Sequence, residues 1–335
     1  MSDSISRRGT MHAGLVSAAA LGLLGCTTFG TASTPSTIVL EPNPQALADG
    51  VWAFVGVPGD ITPETLARHG NGGFIVGRHG VLVIDAGVSL VHGQQRLAAI
   101  RRTTSLPIRA VLLTHAMQEF IFGAAAFQAE GIPVVMHGDA ARLMAARCDT
   151  CLKTLRRELG EAPMLGTRVP KADRTFSTEQ ELLQTLPDIG RRVHVAWGSP
   201  SAHTASPGAI TVFDTSTATL FAGALLESKT IPDVQDANLD AWQRARQTLR
   251  ALKPARIVPG RGPIGDASMI DAVDAYLQDV IKHVHAFVEA GRPLSDAADA
   301  IELPAYQAWD RHETTHRRNV SILYLRLERA MMLKP

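Results

Sequence analysis

The sequence has almost no net charge: 33 Lys and Arg stand against 32 Asp and Glu, for a formal charge of +1. The first 26 residues hold Arg7, Arg8 and Asp3, so the remainder is balanced, and neither a nucleic-acid-binding stripe nor a polybasic membrane patch is present. An apolar run long enough to span a bilayer is also lacking. The run nearest to one, Ala13 to Gly25, falls short of the roughly 20 residues a spanning helix needs. No internal repeat stands out. Apolar side chains are plentiful: with 45% hydrophobic and 19% charged residues, 335 residues build a globular chain with a substantial core, as one large domain or two ordinary ones.

The N-terminus reads as a targeting segment. Arg7-Arg8 precede the modest apolar run and resemble a twin-arginine export signal, with general secretion as the alternative. The run closes on Leu23-Leu24-Gly25-Cys26, which resembles a bacterial lipobox, so Cys26 is a candidate lipidation site that would tether a soluble domain to a membrane. Residues 1–26 are therefore read as signal and 27–47, rich in Thr, Ser and Pro, as a flexible tether. The expected location is periplasmic or in the cell envelope. In such an oxidising compartment Cys148 and Cys151, in C-D-T-C, are read as a disulfide or two buried thiols, with a redox-active pair as the other reading.

From Asp49 short apolar runs alternate with turns and helical patterns. Val51–Val57, Gly73–Gly77 and Val81–Ile84 read as strands, the last two joined by a hairpin turn at Arg78-His79-Gly80. Ser89–Arg102 reads as a helix, Ile108–Leu113 as a strand, Phe120–Glu130 as a helix and Ile132–Met136 as a strand. A second series has strands at Val193–Trp197, Ala209–Phe213 and Thr219–Ala222, a helix over Leu239–Leu252 and a strand at Ala255–Pro259. Two β-rich halves, each ending in helices, predict a four-layer α/β/β/α sandwich with its loops gathered at one edge of the sheets. Its span is expected to be 48–265, followed by a helical extension over 266–335.

Those loops carry a family resemblance. Val83-Ile84-Asp85-Ala86-Gly87, Thr114-His115, Ala202-His203-Thr204, Leu220-Phe221-Ala222-Gly223-Ala224 and Val258-Pro259-Gly260-Arg261-Gly262 follow the order and spacing of the metallo-β-lactamase superfamily. Ala275-Tyr276-Leu277 and Arg318-Asn319-Val320 resemble the C-terminal helices of exported, SoxH-like members, the quinoprotein relay system zinc metallohydrolases. The resemblance implies one or two zinc ions, held by a T-H-x-H-x-D-H loop, a later His, a bridging Asp after F-A-G and a last His in P-G-H-G. Zinc held in this way lowers the pKa of a bound water to roughly 7 and makes it a nucleophile.

Residue by residue, most of those ligands are missing. His115 matches the first His and His203 the later one, but Met117 stands for the second His, Glu119 for the Asp and Phe120 for the third His. Ala224 replaces the bridging Asp and Arg261 the last His. A thioether is a poor zinc ligand, Phe and Ala offer no donor, and Arg brings a permanent cation to the metal's place. His115, Glu119 and His203 could still make a three-ligand site with an open position, so the cofactor expectation is none or one weakly bound zinc or similar divalent metal. The resemblance makes Asp85 a group behind the ligands that orients the metal-binding loop, and a cap for the adjoining turn or helix is its other reading. Met117, Phe120, Ala224 and Arg261 are expected to line the cleft, with Met117, Phe120 and Phe122 read either as an apolar wall favouring an uncharged or partly apolar ligand or as core. Arg261 could pair with Glu119 and fill the space a metal vacated.

His312-Glu313-Thr314-Thr315-His316 also fits H-E-x-x-H, the helical zinc-peptidase pattern, with no later His to complete the ligand set. The stripe Trp309, His312, His316, Val320, Leu323 and Leu327 reads instead as a packed helix face. Three functions follow. The leading one is a non-hydrolytic or vestigial member that binds an unknown small molecule or envelope protein, linked to a quinoprotein system. The others are a weak mono-metal hydrolase on His115, Glu119 and His203, with Glu119 as candidate catalytic group, and a zinc peptidase on His312, Glu313 and His316.

Overall fold

The computed structural model describes residues 43–198 and 202–333, all within one compact unit, Val39–Pro335. Arg7, Arg8, Cys26 and most of the expected tether lie outside the described residues. A seven-stranded sheet comes first in the chain: β1 (Gln45–Ala48), β2 (Val51–Phe54), β3 (Gly72–Val76), β4 (Val81–Ile84), β5 (Ile108–Leu113), β6 (Val134–His137) and β7 (Arg174–Phe176), paired in that order. Its first four strands are antiparallel neighbours, and β4 to β7 run parallel. The parallel part needs crossovers, which α1 (Leu90–Thr103), α2 (Gln118–Ile121), α3 (Ala124–Gln128) and α4 (Gly138–Leu159) supply. After α5 (Glu179–Thr185), a four-stranded sheet pairs in the order β11-β10-β9-β8, from β8 (Val193–Trp197), β9 (Ile210–Asp214), β10 (Thr219–Phe221) and β11 (Arg256–Val258). α6 (Leu239–Ala251), α7 (Ser268–Glu289), α8 (Leu294–Ala300) and α9 (Arg317–Met332) complete the chain. Among the described residues no helix is long and apolar enough to cross a membrane.

Strand periodicity produces the layering. Successive strand side chains point to opposite faces, so a strand apolar at every position serves two cores. Val81 and Val83 on β4 pack outward with α1, α3 and α4, while Leu82 and Ile84 pack inward. The inward set meets Val195, Ile210, Val212, Phe221 and Val258 of the second sheet, which makes the β/β interface. The other face of that sheet, with Phe213, Leu220 and Ile257, is covered by α6, α7 and α9. Three buried clusters thus separate four layers, and the expected α/β/β/α sandwich is the fold.

The structure departs from the expected elements in physically explicable ways. The helix read over Phe120–Glu130 is two short helices broken at Gly123, where a Cβ would lie 2.0 Å from the Ala86 carbonyl oxygen. The Thr/Ser/Pro-rich lead-in ends earlier than read, because β1 starts at Gln45 and pairs with β2. Residues 143–187 hold most of α4, whose Leu152, Leu155 and Leu159 are core, and β7, which extends the large sheet. The C-terminal helices are not an appendage, since Val273, Tyr276 and Val320 sit in the same cluster as the second sheet.

Asn319 fastens α9 to that body. Its amide donates to the Pro232 carbonyl at 2.7 Å and the Tyr276 hydroxyl at 3.1 Å, and its oxygen accepts from the Val234 N–H at 3.1 Å, with the side chain fully buried. Asn319→Ala strands a buried backbone N–H and carbonyl, each costing about 1–3 kcal/mol. Urea unfolding should show a loss of roughly 2–4 kcal/mol, and a loss under about 0.5 kcal/mol would contradict this role.

Candidate functional site

The loops that leave the strands converge at one edge. Directly after β4 comes Asp85, whose left-handed backbone (φ 57°) is a conformation Asp tolerates. Its buried carboxylate accepts the N–H and the hydroxyl of Thr114, both at 2.8 Å, and so holds the loop after β5. The cap of α1 is Ser89 instead, which accepts from the His92 N–H. Burial raises the Asp85 pKa to about 7, against the Thr114 hydrogen bonds and Arg96.

The Thr114 oxygen also lies 2.7 Å from His115 Nδ1. The single hydroxyl proton goes to Asp85, so His115 Nδ1 must donate to the hydroxyl oxygen and Nε2 is left as the lone-pair nitrogen. That Nε2 is buried without a hydrogen-bond partner, and the ring packs 4.2 Å from Phe120 between centroids. Burial, reinforced by the charge of Arg261, lowers the His115 pKa to about 3, so the imidazole is neutral at working pH.

Arg261 occupies the centre. Its Nη1 donates to Glu227 Oε1 at 2.6 Å and its Nη2 to Glu119 Oε1 at 3.0 Å, with all three side chains buried. Arg311, from the turn ahead of α9, donates to the same Glu119 oxygen at 2.9 Å. The Arg261 guanidinium also lies over the Phe120 ring at 5.2 Å and touches the Met117 sulfur at 3.6 Å. Two guanidiniums and two carboxylates make a group that is neutral when all are ionised. Burial alone pushes the Glu119 pKa up, but Arg261 and Arg311 reverse this and hold it well below the ordinary carboxylate range. Glu227 bonds one guanidinium directly and keeps a buried, unpartnered Oε2, so burial prevails over the charges of Arg261 and Arg311 and its pKa is raised. Glu119 and Glu227 together hold Arg261 charged against its burial.

The turn that presents Arg261 is itself held. Asn71 donates from Nδ2 to the carbonyls of Pro259 and Gly262, each at 2.9 Å, and from its N–H to the Gly260 carbonyl at 2.8 Å. At Gly262 (φ 83°) a Cβ would stand 1.8 Å from the Ser228 carbonyl oxygen, which only Gly avoids.

The expected metal ligands do not assemble. Glu119 is committed to two guanidiniums, and His203 Nε2 lies 2.5 Å from the Asp236 carbonyl oxygen. Among the described residues no group of three or more His, Cys, Asp or Glu side chains is arranged to hold a metal ion. At this locus His115 Nε2, His69 Nε2 and Glu227 Oε2 are buried without a partner, but among the described residues they are not arranged as a ligand set, so the residues present do not fit a catalytic zinc, which needs three protein ligands.

Beside this cluster opens a cleft of about 510 Å³, lined among others by Met117, Glu119, Arg147, Cys151, Asp236 and Arg311. Of the residues expected to line it, Met117 does. Phe120 and Phe122 are fully buried in the core, Ala224 packs beneath with the second sheet, and Arg261 lies behind Glu119. The wall is therefore mixed: Ile61, Ala116, Met117 and Leu143 stand beside the pairs of Arg147 with Asp236 at 2.5 Å and of Arg318 with Asp233 at 2.6 Å. Leu143, Arg147, Cys151, Thr154 and Glu158 follow one face of α4 along it. Cys148 and Cys151 are free thiols and not a disulfide.

The H-E-x-x-H stretch lies in a single π-type turn and serves packing. His312 Nε2 meets the Glu302 carbonyl at 2.6 Å, and His316 meets the Ile301 carbonyl at 2.7 Å and the Tyr276 hydroxyl at 3.1 Å. The rings stack at 4.6 Å, and Glu313 points to solvent. Both Nε2 atoms face backbone carbonyls, so no zinc site forms there.

Residues 66–261 match the family model described as "Metallo-beta-lactamase superfamily". No curated protein matches the sequence significantly. Among solved structures, the metallo-beta-lactamase from Pontibacter korlensis is 22% identical with a TM-score of 0.55, covering 70% of this chain and 98% of its own. That from Hirschia baltica is 19% identical with a TM-score of 0.53, covering 70% and 96%. FIM-1 from Pseudomonas aeruginosa, in its mono-zinc form, is 18% identical with a TM-score of 0.53, covering 71% and 96%. At these identities the likeness speaks for the fold.

Protonation of the ion cluster sets a pH dependence. The Glu119 pKa is lower folded than unfolded, so its contribution is complete above the ordinary value of 4.5 and is lost as pH falls below it. Asp85 and Glu227 have raised folded pKa values and act oppositely, losing their contribution as pH rises. Glu119→Gln should thus flatten the acid limb of unfolding free energy, by up to about 2 kcal/mol between pH 4.5 and 3. Superimposable slopes for variant and parent would refute the assignment.

Proposed function

The chain belongs to the metallo-beta-lactamase superfamily, and from that membership we propose that it is a non-hydrolytic member whose metal position is filled by its own ion cluster. The observation that carries this reading is the buried Arg261 guanidinium bridging Glu119 and Glu227. A cation supplied by the chain balances the carboxylates there, and a divalent ion at the same place would have to displace it against charge repulsion. The cleft alongside then serves to bind, and its paired charges suit a polar small molecule or a segment of an envelope protein. Arg7-Arg8 and Cys26 favour export to the periplasm or cell envelope with a lipid anchor, and the C-terminal Tyr276 and Asn319 segments favour the SoxH-like branch and a link to a quinoprotein system.

One observation favours a second reading, the weak mono-metal hydrolase: the bare Nε2 of His115. Metal content separates the two. The purified protein, loaded with zinc, manganese or iron and desalted, is expected to retain well under one metal per chain, with no difference in a His115→Ala/His203→Ala variant. About one metal per chain, lost in that variant, would overturn the proposal in favour of the hydrolase.

A further inference from the structure

α4 carries two thiols into the cleft wall. Cys151 is partly exposed and lines the cleft, whereas Cys148, one turn earlier on the same helix, is buried in the core beneath it. Residues three apart on a helix have Cα atoms about 5 Å apart, inside the range a disulfide spans. Cys151 packs against the same core cluster that holds Cys148, so the two side chains are neighbours on the inner side of the helix. Arg147 lines the cleft one turn before Cys151 and bonds Asp236 across it. A nucleophile open to a cleft, a second thiol behind it within bridging distance and a neighbouring cation are the parts of a dithiol exchange site.

We propose that Cys151 and Cys148 form a dithiol that reduces small disulfides entering the cleft. The Cys151 thiolate attacks one sulfur of the substrate disulfide; that S–S bond breaks, and one substrate thiolate leaves and takes up a proton. Cys148 then gives up its proton and attacks Cys151 Sγ, which forms the Cys148–Cys151 disulfide and expels the second substrate thiol. Two electrons pass from the dithiol to the substrate, and two thiols are released for one disulfide consumed. A cleft of about 510 Å³ admits a ligand of a few hundred daltons. The site requires neither a metal nor the Arg261 cluster, so it stands apart from the reading of that cluster.

The charged groups around the pair support the assignment of roles. The neighbouring Cys148 thiol lowers the Cys151 pKa to about 7 against burial, with Arg147 assisting and Glu119, from α2, opposing. Its proximity to Cys151, with burial and the charge of Asp149, raises the Cys148 thiol. Cys151 is thus the attacking sulfur, and Cys148 the one that resolves.

The test uses the full chain carrying Cys26→Ser, which leaves these two thiols alone, with glutathione disulfide as the probe. Intact mass after reaction should show a loss of about two hydrogen masses and no retained glutathione. Cys148→Ala should instead keep one glutathione on Cys151, and Cys151→Ala should not react while folded. Iodoacetamide labelling of Cys151 should follow an apparent pKa near 7, and Cys148→Ala should shift it upward and slow labelling at pH 7 by roughly tenfold. Stable retention of glutathione by the two-thiol chain would overturn the proposal. So would faster labelling of Cys148 than of Cys151, or inertness of the folded chain when the urea-unfolded chain reacts.

Discussion

The guanidinium of Arg261, buried between Glu119 and Glu227, is the interaction on which the rest of this site depends. Any one of these charges left alone in the interior would cost several kcal/mol, and only their mutual geometry offsets that cost. The constraint spreads outward. Asn71 must hold the Pro259–Gly262 turn, Phe120 must supply a ring face below the guanidinium, and His115 must stay neutral in its field. Arg311 must come from the far end of the chain, so docking of the C-terminal helices and charge balance at the site are one event. The positive charge at this locus is supplied by the chain itself.

Much of this was legible in the sequence, for a physical reason. Strands buried on both faces read as continuous apolar runs, and loops at their ends keep short polar motifs, so Asp85, Thr114-His115, His203 and Arg261 could be assigned to one edge before any coordinates. The pairing of Arg261 with Glu119 follows from charge: a buried cation seeks the nearest carboxylate. Glu227 and Arg311 were missed. Glu227 carries a signal in retrospect, an acid directly after the apolar Leu225-Leu226, where an exposed loop would begin if nothing neutralised it. Arg311 carries none, because 50 residues separate it from Arg261 and only tertiary packing joins them.

Side-chain direction is what the sequence withheld. Phe120 and Phe122 read as cleft wall or as core, and they belong to the core beside the large sheet. His312 and His316 hold the i, i+4 spacing of a metal motif, yet their ring nitrogens are used by the carbonyls of Glu302 and Ile301. Cys148 and Cys151 are close in sequence and in space, but only the orientation of α4 reveals that one faces the core and the other the cleft. A motif fixes which atoms are available, and the surroundings decide what they do.

A double-mutant cycle on Arg261 and Glu119 tests the central claim most directly. Unfolding free energies of Arg261→Met, Glu119→Leu and the double variant should show each single change costing about 3–5 kcal/mol, because each strands a buried charge. The double variant should lose at least about 1 kcal/mol less than the sum of the two. Additive losses, or single losses near zero, would mean that Arg261 and Glu119 are not the coupled buried pair on which this account rests.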